Sequence, residues 1–408
     1  MRTLASLAVA STVLGATVVV TTLLSGCSTT QKAARASAVS ATRTGQPPRT
    51  TAPYPASARW TPLGMAFAKP STAFVYGLDR TRAVVFATTT GGRTWRMILS
   101  HHGVYAISMN ALSARRLLVA TQTPAGPASV WTTANGGKTW SQADLPGTTS
   151  SPCALGISMD FVTSSHGLIA CMSFDGGPQQ IRGFFGTTDG GRTWRPLENN
   201  FTSHPVGTMP SHGLAHHLRL SGVRHGWLGT TEMFCLGGPL ATSDGGRNWH
   251  VDAILPQLTT RHFCRFSTPK FFGSTAMMTA RTNRGDLVLE SSSSGRRWRV
   301  TGHYPANAAI PPILTGRGRA WTYVQSSKTT YTAYATSDGG AMWKSYAMSG
   351  WHSVPAKVFF GSPSSGWAVT TLLRHGTPWV LHTSDGGASW KTPLRRGGLP
   401  GRSDQRVR

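Results

Sequence analysis

Acidic residues are scarce. Fourteen Asp and Glu stand against 40 Lys and Arg, a formal charge of +26 at pH 7 over 408 residues. So few carboxylates leave little room for acid/base chemistry, and the excess charge bears on solubility and anionic partners rather than on fold. The chain has no Ser-nucleophile elbow, no P-loop and no dinucleotide fingerprint, which removes the common hydrolase and nucleotide-binding signatures. Long apolar runs are missing after residue 24, and no helical period occurs between 59 and 395. With 46 Gly and 25 Pro, this excludes a membrane bundle and a long helical rod. Cysteine is limited to five, with no Cys-x-x-Cys pair, which argues against a thiolate metal site.

The apolar run that is present lies at the start. Arg2 precedes a small-residue apolar stretch through Val18, Val19 and Val20 that ends Leu24-Ser25-Gly26-Cys27. In outline this is an export signal. Its last four residues resemble the bacterial lipobox, which implies cleavage before Cys27, lipidation of Cys27 and anchoring of the mature chain to membrane lipid. A signal cut elsewhere, or an uncleaved anchor over residues 3–24, are the alternatives. The resulting expectation is a signal peptide over 1–26, a Ser/Thr/Ala/Pro-rich disordered tether over 27–58, and a folded part outside the cytoplasm.

The remainder is repetitive. A hydroxyl residue, any residue, a small polar residue, two mostly glycine positions, two variable residues and Trp recur seven times, ending at Trp95, Trp140, Trp194, Trp249, Trp298, Trp343 and Trp390. The spacings are 45, 54, 55, 49, 45 and 47 residues. Glycine stands three before every Trp, and five before it stand Thr90, Asn135, Asp189, Asp244, Ser293, Asp338 and Asp385. The pattern predicts a hairpin turn: Asp or Asn bonds following backbone amides, Gly supplies positive φ, and Trp on the outgoing strand covers the next layer. Apolar runs opening at Gly167-Leu168, Gly226-Trp227, Ala320-Trp321 and Gly366-Trp367 give about four strands per repeat. For the last copy these are 357–360, 367–373, 379–383 and 389–393. Four strands per 45–55 residues is the size of a propeller blade. The expected fold class is all-β, a seven-bladed β-propeller of four-stranded blades over 59–395 with a basic tail over 396–408.

These motifs resemble the Asp-box, or BNR, repeat of sialidases, xyloglucan-degrading enzymes, sortilin-type receptors and Ycf48-like photosystem II assembly factors, the last being the most similar in form and copy number. The resemblance implies that the boxed aspartates are turn residues away from any ligand, and it implies a non-catalytic binding or assembly scaffold that holds a membrane or envelope partner. No cofactor is implied, and a monomer is expected.

Candidate chemistry outside the boxes is sparse. If the boxes join third to fourth strands, the longest loops on the opposite face are 198–217, 252–264 and 174–182. Four cysteines beyond Cys27 suit disulfides in an exported chain; of three possible pairings, Cys153–Cys171 and Cys235–Cys264 are expected, with Cys153 and Cys264 placed before first strands. His204, His212, His216, His217 and His225 are dense enough to raise a metal site, but the spacing fits no closed site and no carboxylate lies among them. The competing function is a glycoside hydrolase, sialidase-like or xyloglucanase-like, or a carbohydrate-binding propeller, for which Asp160 and Glu232 are the best carboxylate pair and Trp351 and Trp379 the candidate sugar-facing aromatics. The Phe-Arg-Ile-Pro start of sialidases is absent. Basic residues follow the box Trp in five copies (Arg96, Arg195, Arg299, Lys344, Lys391), predicting a cationic row on blade edges. Such a charge suits a protein or an anionic envelope polymer; nucleic acid is disfavoured by location.

Overall fold

The computed structural model describes residues 61–391, apart from 70, 80–81, 93, 125, 149–152, 154, 175–179, 200–213, 233–237, 253, 255–263, 284, 328–329, 350–354 and 372–377. All described residues belong to the larger of two compact units, 39–408. The signal, tether and tail, Cys27, Cys235, His204, His212 and Trp351 lie outside the described residues.

Every regular element described is a β-strand. The first sheet orders β1 (Thr61–Lys69), β2 (Thr72–Asp79), β3 (Arg82–Thr88) and β4 (Arg96–His102); the second orders β5 (Ala106–Ala111), β6 (Leu117–Gln122), β7 (Ser129–Thr133) and β8 (Ser141–Asp144). The third contains β9 (Gly156–Phe161), β10 (Gly167–Phe174), β11 (Gln180–Thr187) and β12 (Arg195–Asn199). Repeats four and five share one nine-stranded sheet: β13 (Leu214–Leu220), β14 (Gly226–Glu232), β15 (Leu240–Thr242), β16 (His250–Val251), β17 (Cys264–Phe266), β18 (Lys270–Phe272), β19 (Thr275–Thr282), β20 (Gly285–Ser291) and β21 (Arg299–His303). The sixth repeat forms β22 (Ile313–Gly316), β23 (Arg319–Gln325), β24 (Tyr331–Thr336) and β25 (Lys344–Ala347); the last forms β26 (Pro355–Phe360), β27 (Gly366–Thr371) and β28 (Pro378–Thr383).

Inner strands read as near-continuous apolar runs because neighbouring sheets cover both faces. All six residues of β6 are buried, as are the last six of β3. The core is a series of layers between sheets: Val85 and Ile98 of the first sheet pack with Val119 and Trp131 of the second, and Leu118 and Val130 of the second with Ile169 and Phe185 of the third. One layer joins the two ends of the series, since Val75, Val84 and Phe86 cluster with Trp367 and Val369.

The seven turns share one hydrogen-bond scheme. The leading hydroxyl accepts from the amide of the second glycine position, as from Gly92 to Thr88 (3.0 Å), Gly191 to Thr187 (2.9 Å) and Gly387 to Thr383 (2.9 Å). It donates to the acid two residues on where one is present, as Thr187 does to Asp189 (2.8 Å). The acid in turn accepts from the amides that follow, Arg192 N at 2.9 Å and Thr193 N at 3.0 Å for Asp189. The second glycine is required twice over. Its φ is positive in every copy, and a Cβ there would strike the preceding repeat: Ile98 at 2.7 Å from position 137, Trp227 at 2.8 Å from position 295, Val288 at 2.8 Å from position 340.

Box tryptophans do not sit on the outgoing strand as the sequence predicts. In six repeats the Trp immediately precedes it; Trp140 Nε1 donates to Ile98 O of the preceding repeat (3.0 Å) and Trp249 stacks on Phe184 of the repeat before it at 4.5 Å, while Trp298 packs with the core of its own repeat. Trp95, in the first box, meets Trp367 of the last sheet edge-on at 6.5 Å. Truncating one such buried indole to Ala costs about 3–5 kcal/mol.

Three further details depart from the sequence-based expectation. Separate four-stranded sheets do not form in repeats four and five, because β14 divides one edge between two partners. Gly226–Leu228 pair with β15, while Thr230–Glu232 pair with β17 of the next repeat. The expected strand over 389–393 is not formed among the described residues. Lys391 exchanges two backbone hydrogen bonds with His382, but Trp390 N donates to Ser349 O (3.2 Å), drawing the segment onto the sixth repeat. Cys264 lies inside β17 rather than ahead of it, paired with Glu232.

Candidate functional site

On the face away from the boxes lies a cavity of about 570 Å³, lined by residues of repeats four to seven. Strand polarity sets its position. First strands run toward the box face, so their early residues, and the late residues of second strands, reach the opposite end. Arg265, Arg281 and Lys357 occupy such positions and line the cavity, with Ile310 and Pro311 from the segment entering β22.

His217 joins them through a β-bulge. The register of β13 against β14 shifts between Ala215 and Leu218, and the extra residues re-aim the chain. Thr268 Oγ1 donates to His217 O (2.5 Å), fixing the bulge against repeat five. The sequence pattern places His217 at the end of the 198–217 loop, whereas the structure puts it on a bulge of β13, which β-propensity alone cannot reveal. His225 lies at the other end, on the turn between β13 and β14. His216 falls on the bulge beside His217, and its side chain is not among those described. No group of three or more metal-binding side chains occurs among the described residues.

Charge in this region divides into compensated and uncompensated cations. Arg281 forms a two-point pair with Asp286 (2.8 and 3.0 Å) and lies over the Tyr304 ring at 6.0 Å. Arg219 pairs with Asp160 at 3.2 Å. Arg265 and Lys357 are exposed to the cavity and have no acidic partner among the described residues. Burial pushes the His217 imidazole pKa down, and the charges of Lys357, Arg219 and Arg265 push it further the same way. Lys270, on β18, is pushed down to about 8 by burial and by Arg219, and donates to Leu314 O (2.8 Å). Among the described residues, the lining of the cavity holds Arg265, Arg281 and Lys357 and no carboxylate.

The two acidic residues proposed from sequence lie toward opposite ends of the strands, and the side chain of Glu232 is not among those described. Asp160 is buried, accepting from Leu220 N (2.8 Å), Arg219 Nη1 (3.2 Å) and Asn110 Nδ2 (3.4 Å), so it ties β5, β9 and β13 together. Burial raises its pKa, partly opposed by Arg219 and by those hydrogen bonds. Leu220 pairs with Gly226 at the box end of β14, and Glu232 lies six residues farther along that strand, about 20 Å away at roughly 3.3 Å per residue. The boxed acids are committed to their turns. For Asp189 and Asp244, burial raises the pKa but hydrogen bonds from Thr193 and Thr187, and from Asn248 and Thr242, more than offset it; Asp385 is held at about 2 in the same way, chiefly by Ser389. Asp338 is lowered first by the Met342 amide.

Cys153 and Cys171 form a disulfide that joins the segment before β9 to β10, and Cys264 is also disulfide-bonded. Arg96, Arg195, Arg299 and Lys344 open the fourth strands of their repeats and are exposed, as is Lys391; Arg96 also donates to Gly136 O of the next box (2.7 Å). Trp379 lies on β28, and its side chain is not among those described.

No protein-family model and no curated protein matches the chain. Solved structures do. The BP39L lectin from Burkholderia pseudomallei is similar at 14% identity and TM-score 0.52, over 84% of this chain and 99% of the lectin. A puromycin-hydrolysing peptidase from Mycobacterium tuberculosis is similar at 10% identity and TM-score 0.52, over 82% of this chain; the match spans only 53% of the peptidase. YCF48 bound to D1 peptide matches at 16% identity and TM-score 0.45, over 74% of this chain and 89% of that one. With the sheets described above, the class is an all-β protein of propeller type, a fold that hosts unrelated functions.

Proposed function

We propose that the chain is a lipid-anchored, extracytoplasmic β-propeller that binds an anionic partner, a protein or an envelope polymer, without catalysing a reaction. Its seven repeats close into one ring; the contact of Trp95 with Trp367 and the core layer shared by first and last repeats support closure. The lipobox-like Leu24-Ser25-Gly26-Cys27 supports the anchor and the location. The observation that carries the binding role is the cavity opposite the boxes, where Arg265 and Lys357 face the open space without acidic partners among the described residues. Hydrolysis of a glycoside at Asp160 and Glu232 has less support, because two facing carboxylates within about 10 Å are needed, whereas Asp160 of β9 is held at Leu220, beside the Gly226 end of β14, and Glu232 lies at the other end of that strand. The assembly role by resemblance to Ycf48-like factors fits a propeller that presents cations, with the partner left to experiment.

The test is in-cell cross-linking of the tagged full-length chain, followed by mass spectrometry of the captured material. Capture of a defined envelope protein or polymer that falls about tenfold or more in Arg265→Glu/Lys357→Glu is expected. Capture unchanged by that double substitution, or release of reducing sugar from wall polysaccharide by the purified chain, would overturn the reading.

A further inference from the structure

The chemistry of the cavity narrows what enters it. Two cations, Arg265 from repeat five and Lys357 from repeat seven, face one space without acidic partners among the described residues, and His217 from repeat four stands close enough for both to depress its pKa. The neighbouring arginines are already neutralised: Arg219 by Asp160 and Arg281 by Asp286. About two positive charges are thus left for a ligand. The hydroxyls of Ser267 and Thr279 line the same wall and add donors. Ile310, Pro311, Ile313 and Val358 add apolar lining. The volume, about 570 Å³, exceeds that of a bare oxyanion several-fold and matches a small organic molecule.

We infer that this cavity binds a phosphomonoester, its phosphoryl group held by Arg265 and Lys357 and its carbon skeleton against the Ile310–Ile313 wall. A phosphomonoester carries about −1.5 to −2 charge at neutral pH and three acceptor oxygens. That matches two uncompensated cations and the adjoining hydroxyls. A monocarboxylate brings one charge and leaves one cation unsatisfied. Arg presents a planar fork suited to two phosphate oxygens at once, and Lys357 adds a point charge from repeat seven. The inference rests on the cavity being the binding site of the preceding section, and it specifies the group recognised there. The same phosphoryl chemistry is supplied by a soluble sugar phosphate or by a lipid headgroup, and the two sources are separable.

The experiment is isothermal titration calorimetry on the full-length chain in detergent with glucose 6-phosphate, glucuronate and glucose. In parallel, the chain is tested for flotation with phosphatidylcholine vesicles with and without phosphatidic acid. Glucose 6-phosphate is expected to bind at least about tenfold more tightly than glucuronate, with glucose weaker still, and Arg265→Gln and Lys357→Gln each to weaken it by about tenfold or more. Thermal unfolding of each variant is measured alongside, and Arg115→Gln, an exposed arginine at the box face, serves as the charge control. If glucose 6-phosphate fails to bind but phosphatidic acid recruits the chain and the two substitutions abolish that recruitment, the headgroup is the source and the inference holds. Glucuronate binding as well as glucose 6-phosphate, or phosphate binding untouched by both substitutions in folded variants, would overturn it. Should a captured partner still depend on Arg265 and Lys357 while no phosphate probe binds, the inference alone falls and the binding role stands.

Discussion

At the box turns, Asp189, Asp244, Asp338 and Asp385 are exposed or nearly so, and each is surrounded by amide and hydroxyl donors that hold its pKa down. Around the cavity on the other face, Arg265 and Lys357 stand without acidic partners among the described residues, while Arg219 and Arg281 are paired with Asp160 and Asp286. A chain with only 14 carboxylates has placed most of those described in roles that fix backbone or tie strands. The positive field at the cavity follows from that distribution as much as from the number of arginines. Scarce acids thus fix the turns on one face and leave Arg265 and Lys357 without acidic partners among the described residues on the other.

The strongest way to break this division is to remove the buried acid that pairs with Arg219. Asp160→Ala leaves Leu220 N without its buried acceptor and Arg219 without its counter-ion. The expected loss of stability is about 3 kcal/mol, read from denaturant unfolding. Asp160→Asn keeps the shape, costs less, and frees the charge of Arg219; it is expected to tighten anion binding at the cavity while weakening the fold. An unchanged unfolding midpoint in Asp160→Ala would show that the tie between β5, β9 and β13 is dispensable.

The next effect sharpens the comparison through pH. A boxed aspartate has a folded pKa below its unfolded value of about 3.9, so its stabilisation is present above that pH and is lost as pH falls through the folded value, about 2 for Asp385. Asp160 has the opposite sign: its folded pKa is raised, so its contribution is present below the unfolded value and diminishes as pH rises through the folded one. Asp189→Ala removes the acceptor of two amides and two hydroxyls at an exposed turn. It is expected to cost about 1 kcal/mol at neutral pH and less at pH 2, as for loss of a capping side chain. Unfolding curves at the two pH values check it, and an equal cost at both would remove the ionised carboxylate from the account.

The repeats were legible because a turn that needs positive φ, a hydroxyl and a nearby acid has few sequence solutions, so the same letters recur at Thr187–Trp194 and Thr383–Trp390. The indoles' direction was not legible, since nothing in the letters says whether Trp140 faces the following strand or Ile98 of the repeat before. The fusion of repeats four and five was equally hidden: Thr230–Glu232 read as an ordinary strand end, and their choice of β17 over β15 is a tertiary outcome. Arg265 and Lys357 carried no local signal, as they come from first strands about 90 residues apart and meet only through the arrangement of the sheets. Asp160 was singled out for its carboxylate, and a propensity argument had no means of seeing that Asn110 and Leu220 would engage it.

The smallest expected effect tests the box turns against their own exception. In the fifth box the first glycine position is Ser294, at φ 55°, where Gly91, Gly136, Gly190, Gly245, Gly339 and Gly386 stand at φ 64–79° in the other copies. Ser294 is exposed, and its amide donates to Ser274 O (2.9 Å), a bond that any residue retains. Ser294→Gly relieves roughly 1–2 kcal/mol of left-handed strain and returns roughly 0.5–1 kcal/mol to the unfolded chain as entropy. The net is a gain of about 0.5–1 kcal/mol, or about 1–3 °C in Tm for a chain of this size. Gly91→Ser is the reciprocal change, at φ 64° with nothing within 4 Å of the new Cβ, and is expected to lose about the same amount. If both substitutions destabilise, the serine at 294 is held by a contact beyond backbone geometry, and the fifth box differs from the others in more than one letter.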